Sequence, residues 1–275
     1  MTERLAAINA RIAGIQQLGA VVNAMRGIAG ARAQQARAQL AAVDRYAAII
    51  AQAIGRVFPP PPAPRQSGAH FALVVFCAEQ GFAGAFSDHV LKALSPGPEL
   101  FLIGTRGTAL AAERGITPRW SCAMPSYSAG IPALASRIAE ALYALMAEGE
   151  IDRLEAVYSQ WQVRGGMQVA RQTLFPLNPA AFPAQAAGAT PLLNLAPQAL
   201  LGNLTADYVH AQLCHAALHS FAAENEARMA AMVSAHDQID RQLATLRLTQ
   251  RIVRQEQITE EIIELATGET ASRNG

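Results

Sequence analysis

The chain has 275 residues, a formal net charge of +1 and three cysteines. So small a charge gives no field that would draw the chain to nucleic acid or to an anionic membrane, and three widely spaced cysteines predict neither a disulfide framework nor a metal site. Hydrophobic residues make up 51% of the sequence and aromatic residues only 6%, which favours long helices with narrow, alanine-lined contacts.

Residues 3–57 predict a first long helix. Their apolar side chains recur alternately every four and three positions, which is the spacing of a coiled-coil seam, and only Gly19 and Arg26 interrupt it. At about 1.5 Å per residue such a helix would be roughly 80 Å long. The prolines of residues 59–64 must end it, because proline cannot continue a helix. The amphipathic pattern starts at once, so we expect no signal peptide, and no apolar run predicts a membrane span.

A separate α/β unit is predicted from residue 71, where the period of the sequence changes. The continuous apolar run there is typical of a strand buried on both faces of a sheet. Ser87 or Asp88 is a candidate cap for the next helix, and Gly165 and Gly166 indicate a hairpin. The predicted elements are a strand at 71–76, a helix at 87–94, a strand at 99–103, a helix at 105–114, an irregular stretch at 115–130, a helix at 131–148, and strands at 153–163 and 167–176.

Residues 204–267 predict a second, longer helix around which the chain is organised. They contain no proline, and Gly268 follows them as a helix-stop signal. Roughly 95 Å of helix cannot be buried by one compact domain, so it needs a partner helix or other chains. Most seam positions are apolar, but from Gln250 onward only Val253 is. We therefore expect the two long helices to form an antiparallel coiled coil whose last stretch contacts another protein.

The glycine-bearing segment 79–86 is the nearest approach to a phosphate-binding loop. Gly81 and Gly84 lie between a predicted strand and a predicted helix, but no Lys-Ser/Thr pair follows and the glycine spacing matches no nucleotide-binding motif. We interpret the segment as a tight strand-to-helix turn, with a nucleotide site as the less favoured alternative.

Two groups of side chains on the last helix admit two interpretations each. His215 and His219 are one turn apart and could chelate a metal, but their place at the seam favours interhelical polar contacts. The arginines and glutamates of residues 241–264 form either a solvated face or a contact zone for carboxylates of a partner, and charge alone favours the solvated face. The sequence presents no catalytic set, metal cluster or cofactor motif, so we predict a non-catalytic chain without a cofactor.

Six stretches match the pattern of one known family. They are RIAGIQQ at 11–17, NAMRGIAGAR at 23–32, EQGFAGAF at 79–86, PQALL at 197–201, ENEARMAAM at 224–232 and RQEQITEEI at 254–262. On these motifs the chain resembles, over nearly its whole length, the gamma subunit of F-type ATP synthases, which is the central rotor shaft. The C-terminal motifs carry the strongest likeness, since an unrelated coiled coil would have no reason to keep Arg254, Gln255, Ile258 and Thr259 together.

The resemblance implies an α/β fold with a long antiparallel coiled coil of N- and C-terminal helices and a central Rossmann-like domain. The helices would lie inside a hexameric ring of alpha and beta subunits, and the foot would rest on the membrane ring of c subunits beside epsilon. The expected division is an N-terminal helix at 1–58, a Pro-rich linker at 59–70, a Rossmann-like foot domain at 71–177, a linker at 178–203, a C-terminal helix at 204–268 and a tail at 269–275.

The function that the resemblance implies is that of a rotor coupling ion flow through the c-ring to ATP synthesis or hydrolysis at the beta subunits. Neither nucleic acid nor a small-molecule substrate of its own is implied, and the location would be the cytoplasmic face of a bacterial inner membrane. Gly81 and Gly84 would shape the foot. The residues expected to contact the beta subunits are Met25, Arg254, Gln255, Ile258 and Thr259.

Departures from the family's pattern are Asn23, Ala83, Ala85 and the pair Glu79 and Gln80. They bear on the contacts of the foot with epsilon and would suit a divergent, second copy of the complex, such as one of the sodium-pumping type. The sequence leaves open the transported ion, the direction of rotation and the regulation. Two other functions compete with the shaft: a free-standing coiled-coil adaptor with a ligand-binding Rossmann-like domain, and an enzyme that uses the glycine-bearing segment.

Overall fold

The structure is a computed structural model that describes residues 2–57, 70–95, 97–162, 165–177, 182 and 192–273. By packing, the chain forms two units, which we call the helical unit (Met1–Ile28 with Met229–Gly275) and the sheet unit (Ala29–Arg228). The helices are α1 (Thr2–Val57), α2 (Phe86–Lys92), α3 (Thr105–Glu113), α4 (Ile131–Ala147) and α5 (Pro197–Arg273), and the strands are β1 (Phe71–Phe76), β2 (Glu99–Ile103), β3 (Trp120–Cys122), β4 (Arg153–Gln162) and β5 (Gly166–Phe175).

The sheet unit is built around five strands in the order β3-β2-β1-β4-β5. The central strand β1 is parallel to both of its neighbours, and only β5 runs antiparallel, against β4. Leu73 and Val75 of β1 pack into one apolar cluster with α2 and α3, whereas Val74 and Phe76 pack into another with α4 and α5. The sheet is therefore covered on both faces, which explains the continuous apolar run in β1.

Both long helices contribute to the sheet unit. Ala36 of α1 and Phe221 of α5 belong to the apolar cluster on the α4 face of the sheet. Ile54 of α1 packs in a smaller cluster with Leu204 of α5. The unit therefore contains the end of α1 and the beginning of α5 as well as the sheet.

In the helical unit the two long helices run antiparallel. Near the start of α1, Asn9 accepts a hydrogen bond from Gln250 at 2.5 Å, while Val22, further along α1, packs in one cluster with Met232. A β-carbon at Gly19 would lie 3.4 Å from Cγ2 of Ile239, so this glycine keeps the helices close at their contact. The predicted α/β class with an antiparallel pair of long terminal helices is confirmed.

Three elements differ from the sequence predictions. Strand β3 lies in the stretch predicted to be irregular, where its three residues pair with β2 and prolines at 118 and 125 obscure the pattern. Helix α5 begins at Pro197 because proline is accepted in the first turn of a helix, and it continues beyond Gly268. Ser87 is not the cap of α2; its hydroxyl accepts a hydrogen bond from the Ala78 amide at 3.1 Å.

The predicted six-part division of the chain follows the order of elements, whereas the two packing units combine parts of both long helices. That division stays a prediction. Residues 59–69 of the predicted Pro-rich linker lie outside the described residues, as do 178–181 and 183–191 of the second linker.

One stretch of α1 is apolar enough to cross a membrane by length and composition alone. The segment Glu3–Arg56 contains an 18-residue window with a mean hydropathy of 1.3. The sequence prediction of no span considered only uninterrupted apolar runs, and this average includes polar positions. Ile12 and Ile15 of the same helix pack against the seam with α5, but only 6% of the window is buried, so packing within the chain does not by itself account for the hydropathy of α1.

Candidate functional site: the C-terminal helix and the glycine loop

Four of the predicted contact residues lie together on exposed surface of α5 in the helical unit. Ile258 is 50% exposed, and the Thr259 hydroxyl donates to the Gln255 carbonyl oxygen at 2.9 Å. Across the part of the chain that the structure describes, no hydrogen bond or ion pair engages the side chain of Arg254 or of Gln255. The Arg254 guanidinium, with its planar set of donors, is therefore available to bind a carboxylate from outside the chain.

Met25 occupies a different setting from these four residues. It is half-buried and packs against the cluster that contains Val22 and Met232. Met232 lies 22 positions before Arg254 in the same helix, which corresponds to roughly 33 Å along its axis. The structure thus places Met25 in the seam and does not bring it together with the α5 residues.

The helical unit also exposes large apolar side chains away from its seam. Single exposed apolar side chains are common on proteins, but contiguous apolar patches of more than a few hundred Å² are rare on monomers and mark interaction sites. The exposed set comprises Leu18, Val21 and Ile28 on α1, and Val233, Leu248, Ile252, Ile258, Ile262, Ile263 and Leu265 on α5.

The glycine loop, residues 79–86, follows β1 and belongs to the sheet unit. Gly84 has a φ of +57°, in the left-handed region that favours glycine. Phe82 has a φ of 61° and is 70% exposed. Gly81 has open space around it, and its contribution is its carbonyl oxygen, which accepts a hydrogen bond from Nε of Arg228 at 3.2 Å.

A buried ion pair on α5 holds the backbone of this loop. Glu224 and Arg228 are only 3% and 5% exposed, and Nη2 of Arg228 lies 2.5 Å from Oε1 of Glu224. The Glu224 carboxylate accepts hydrogen bonds from the amides of Glu79 at 3.2 Å and Gln80 at 3.3 Å. Nη2 of Arg228 also donates to the Gln80 carbonyl oxygen at 3.2 Å. Each buried charge is thus paired with the opposite charge and also hydrogen-bonded to the loop backbone.

The carboxylate of Glu79 forms hydrogen bonds with the two loops beside the glycine loop. Glu79 accepts hydrogen bonds from the amide and hydroxyl of Thr105, at 2.9 and 2.8 Å, and from the amide of Met124 at 2.8 Å. Thr105 begins α3 after β2, and Met124 follows β3. In open parallel sheets, amides at this edge and at helix N-termini are the groups that bind phosphates.

These contacts argue against a nucleotide site at the glycine loop. The chain leaves β1 toward β2 on one side and later returns to β4 on the other, so the carboxyl end of β1 is the switch point where ligands bind in open α/β folds. The amides that Glu224 and Glu79 engage there are already bonded within the chain. The geometry therefore supports the tight-turn interpretation of Gly81 and Gly84.

The histidine pair lies where α5 meets α1 and β4. Nε2 of His219 lies 3.1 Å from Nε2 of His215, and the latter lies 3.4 Å from the Asp44 carboxylate. Burial, followed by the neighbouring His215, lowers the pKa of His219 to about 4. Among the described residues, no group of three or more metal-ligating side chains is placed to hold a metal ion. This geometry supports interhelical polar contacts.

Sequence reasoning missed the roles of Glu224, Arg228 and Glu79. The first two stand in a family motif, but only the structure reveals that they engage a backbone more than 140 positions earlier in the chain. A signal was available, since two opposite charges at the i and i+4 positions lie beside apolar seam positions of a helix. Charged residues at such positions are almost never buried unless paired.

An α/β unit whose loop amides at the switch point are bonded to its own carboxylates, combined with paired terminal helices that expose apolar surface, fits a structural subunit of a larger assembly. The comparisons with known proteins identify that assembly. The family model described as ATP synthase matches residues 4–271, which is nearly the whole chain. The chain therefore belongs to the ATP synthase gamma family.

Individual relatives agree with this assignment. The ATP synthase gamma chain of Chlorobaculum tepidum is 25% identical over 285 residues, with 96% of this chain and 97% of the relative covered, and that of Frankia casuarinae is 28% identical with both chains fully covered. The fold matches a chain in the structure of Euglena gracilis mitochondrial ATP synthase (OSCP/F1/c-ring, rotational state 3), with a TM-score of 0.72 at 14% identity over 100% of this chain and 96% of that one.

Family membership gives the class of function. The chain is a gamma chain of an F-type ATP synthase, the central rotor stalk of a membrane-associated complex, and is a non-catalytic subunit. The predictions of the family, the fold class and the non-catalytic role are confirmed, and the adaptor alternative is not favoured. The roles predicted for Met25, Arg254, Gln255, Ile258 and Thr259 stay predictions.

Proposed function

We propose that this chain is the rotating shaft that couples ion flow through a membrane ring of c subunits to ATP synthesis or hydrolysis at the beta subunits. The family match over residues 4–271 carries the proposal. Solved neighbours with this fold come from assemblies described as rotor, F1 and c-ring, or central stalk and c-ring. Accordingly, the partners would be a ring of alpha and beta subunits, an epsilon subunit and the c-ring.

The helical unit supplies the surface for the alpha and beta subunits. Its exposed apolar side chains, from Leu18 on α1 to Leu265 on α5, are those that a surrounding sleeve of protein would cover. Apolar contacts have no fixed direction, so most of such a surface can turn within a sleeve, and only a few polar contacts would have to be broken and remade. This surface accords with rotation of the shaft inside its partners.

The polar contacts proposed for the beta subunits are made by the exposed stretch of α5. Arg254 would form a bidentate pair with a carboxylate and Gln255 would hydrogen-bond beside it, with Ile258 and Thr259 one turn further on. Met25 would act from the seam, where its half-buried side chain supports the neighbouring surface of α1.

The sheet would form the foot of the shaft. We assign this role to residues 71–177, and we propose a location on the cytoplasmic face of a bacterial inner membrane, where the foot meets the c-ring.

Co-purification of the tagged chain from its own membranes tests the proposed assembly. We expect the alpha, beta, epsilon and c subunits to be recovered with it in a complex that hydrolyses ATP. Recovery of the chain alone, or as a soluble homodimer, would contradict the proposal and return the adaptor to consideration.

Replacement of Arg254 and Gln255 by Ala in the assembled complex tests the contact residues. We expect impaired ATP turnover or coupling with assembly largely intact, because the exposed side chains make no contact that stabilises the chain itself. Arg251→Ala is the matched control, since Arg251 is an exposed arginine one turn earlier on the same helix. Unchanged activity of the Arg254/Gln255 variant in both directions of the reaction would remove the assignment.

A further inference from the structure

The ion pair Glu224–Arg228 joins the longest helix of the chain to the loop at the centre of the sheet. Between them the two side chains bond the backbone of residues 79, 80 and 81 at four points. Ser220, one turn earlier, donates its hydroxyl to the Phe76 carbonyl oxygen at 3.0 Å. Three positions at i, i+4 and i+8 of α5 therefore bond the end of β1 and the loop that follows it.

Stability alone does not account for charges at these positions. A buried ion pair costs desolvation of both groups, and well-packed apolar residues of similar volume are often as stable or more so. Apolar contacts, however, have no preferred direction, whereas hydrogen bonds weaken steeply when donor and acceptor are misaligned. Charged groups bonded to a fixed backbone therefore oppose a turn of α5 about its own axis in a way that an apolar contact would not.

We propose that Glu224 and Arg228 are positioning residues that lock α5 to the sheet, so that torque applied to the sheet passes into the helix without slip. The inference rests on the proposed shaft function, and the lock itself lies within the sheet unit. Helix α5 continues without interruption from this point to Arg273, so a helix held here transmits rotation along its length.

Glu224→Gln tests the lock, and Glu226→Gln is its matched control. Both residues are buried glutamates on α5, but Glu226 pairs with Arg37 of α1 and not with the sheet loop. In the full-length chain we expect the amides of Glu79 and Gln80 to lose about tenfold or more of their protection from hydrogen exchange in Glu224→Gln, because a charge-assisted acceptor is lost. The control should leave both amides protected.

An assembled complex that carries Glu224→Gln should transport at least about twofold fewer ions for each ATP hydrolysed, because the weaker hydrogen bonds that lower amide protection also let α5 slip. Its ATP hydrolysis should continue. Glu226→Gln should couple normally. The exchanged pair Glu224→Arg with Arg228→Glu should not restore coupling, because an arginine at 224 cannot accept from amides and a glutamate at 228 cannot donate to carbonyls. A simple helix ion pair would be restored by the exchange.

The outcomes of these experiments distinguish a failure of the proposed lock from a failure of the proposed shaft function. Normal coupling in assembled Glu224→Gln, an equal loss in Glu226→Gln, or restoration by the exchanged pair would overturn the lock. Altered exchange of the two amides in a chain that recruits no partner subunits would support the lock and contradict the shaft. If Glu224→Gln fails to assemble, Ser220→Ala is the second test, because it removes only the neutral hydrogen bond to the Phe76 carbonyl oxygen. We expect a smaller loss of coupling than for Glu224→Gln. Normal coupling in Ser220→Ala would also overturn the lock.

Discussion

The two units of the chain hold α5 by different kinds of contact. In the helical unit the buried part of the seam is apolar, with Ile239 and Leu243 among its members, and the ion pair of Arg4 with Glu256 is exposed, with exposed fractions of 63% and 49%. In the sheet unit, charged groups are buried at the contacts, as Glu224 and Arg228 illustrate. Apolar contacts give association without fixed direction, and buried polar contacts add a fixed geometry. The helical unit thus holds α5 by contacts without a fixed direction, and the sheet unit adds contacts with a fixed geometry.

Arg228→Met in the sheet unit is expected to have the largest effect on stability. It leaves the Glu224 carboxylate buried with its cationic partner removed, and breaking a buried pair in this way costs about 3–5 kcal/mol. Urea denaturation of the full-length chain would measure it. The double variant with Glu224→Gln should lose less than the sum of the two single losses, because the residues belong to one network. A loss below about 1 kcal/mol for Arg228→Met would contradict the buried pair, since that is less than the ordinary cost of an unsatisfied buried charge.

Gly107→Ala in the sheet unit and Gly14→Ala in the helical unit compare how closely a helix is packed in each unit. A β-carbon at Gly107 would lie 2.0 Å from Cβ of Cys77, so α3 must shift from β1, at an expected cost of about 1–3 kcal/mol. Gly14→Ala in the helical unit is the control, because its β-carbon would meet nothing within 4 Å. We expect the control to be neutral or to stabilise the chain by up to about 1 kcal/mol. Equal destabilisation by both changes would contradict the packing described for α3.

The histidine pair makes the stability of the sheet unit depend on pH. Burial and the adjacent His215 lower the pKa of His219 from 6.5 to about 4 in the folded state. The unfolded chain then binds more protons between these two values, so stability is present above pH 6.5 and is lost as the pH falls toward 4. His219→Gln should flatten this slope, measured as urea midpoints near about pH 7 and about pH 5. His210→Gln is the control, and a wild-type slope in His219→Gln would contradict the assignment.

Glu256→Gln should have the smallest effect on the free energy of unfolding. The side chains of Arg4 and Glu256 lie 3.7 Å apart and are both largely exposed, so solvent screens their attraction and its loss should change the free energy of unfolding by less than about 0.5 kcal/mol. Thermal unfolding at low and high salt would measure it. A loss comparable with that of Arg228→Met would contradict the contrast between the two units.

The sequence predicted the elements that have a strong period and missed those set by distant contacts. The apolar spacing of α1 and α5 and the continuous run in β1 were sufficient, because packing dictates those patterns. Strand β3 was missed because three residues between prolines have no recognisable period. For the site, motif likeness selected Arg254 and Gln255, but the role of Glu224 depends on amides of residues 79 and 80; the charges at i and i+4 indicate a buried pair but do not identify its distant partner.

Rotation of the sheet unit relative to the alpha and beta subunits is the most direct test of the shaft. Lys92 is exposed at the end of α2, so Lys92→Cys offers a place for a bead, in a Cys122→Ser background that removes the half-exposed native thiol. With the alpha and beta subunits fixed to a surface and ATP supplied, we expect continuous rotation of the bead in one direction. An assembled complex that hydrolyses ATP while the bead only fluctuates about a fixed angle would contradict it.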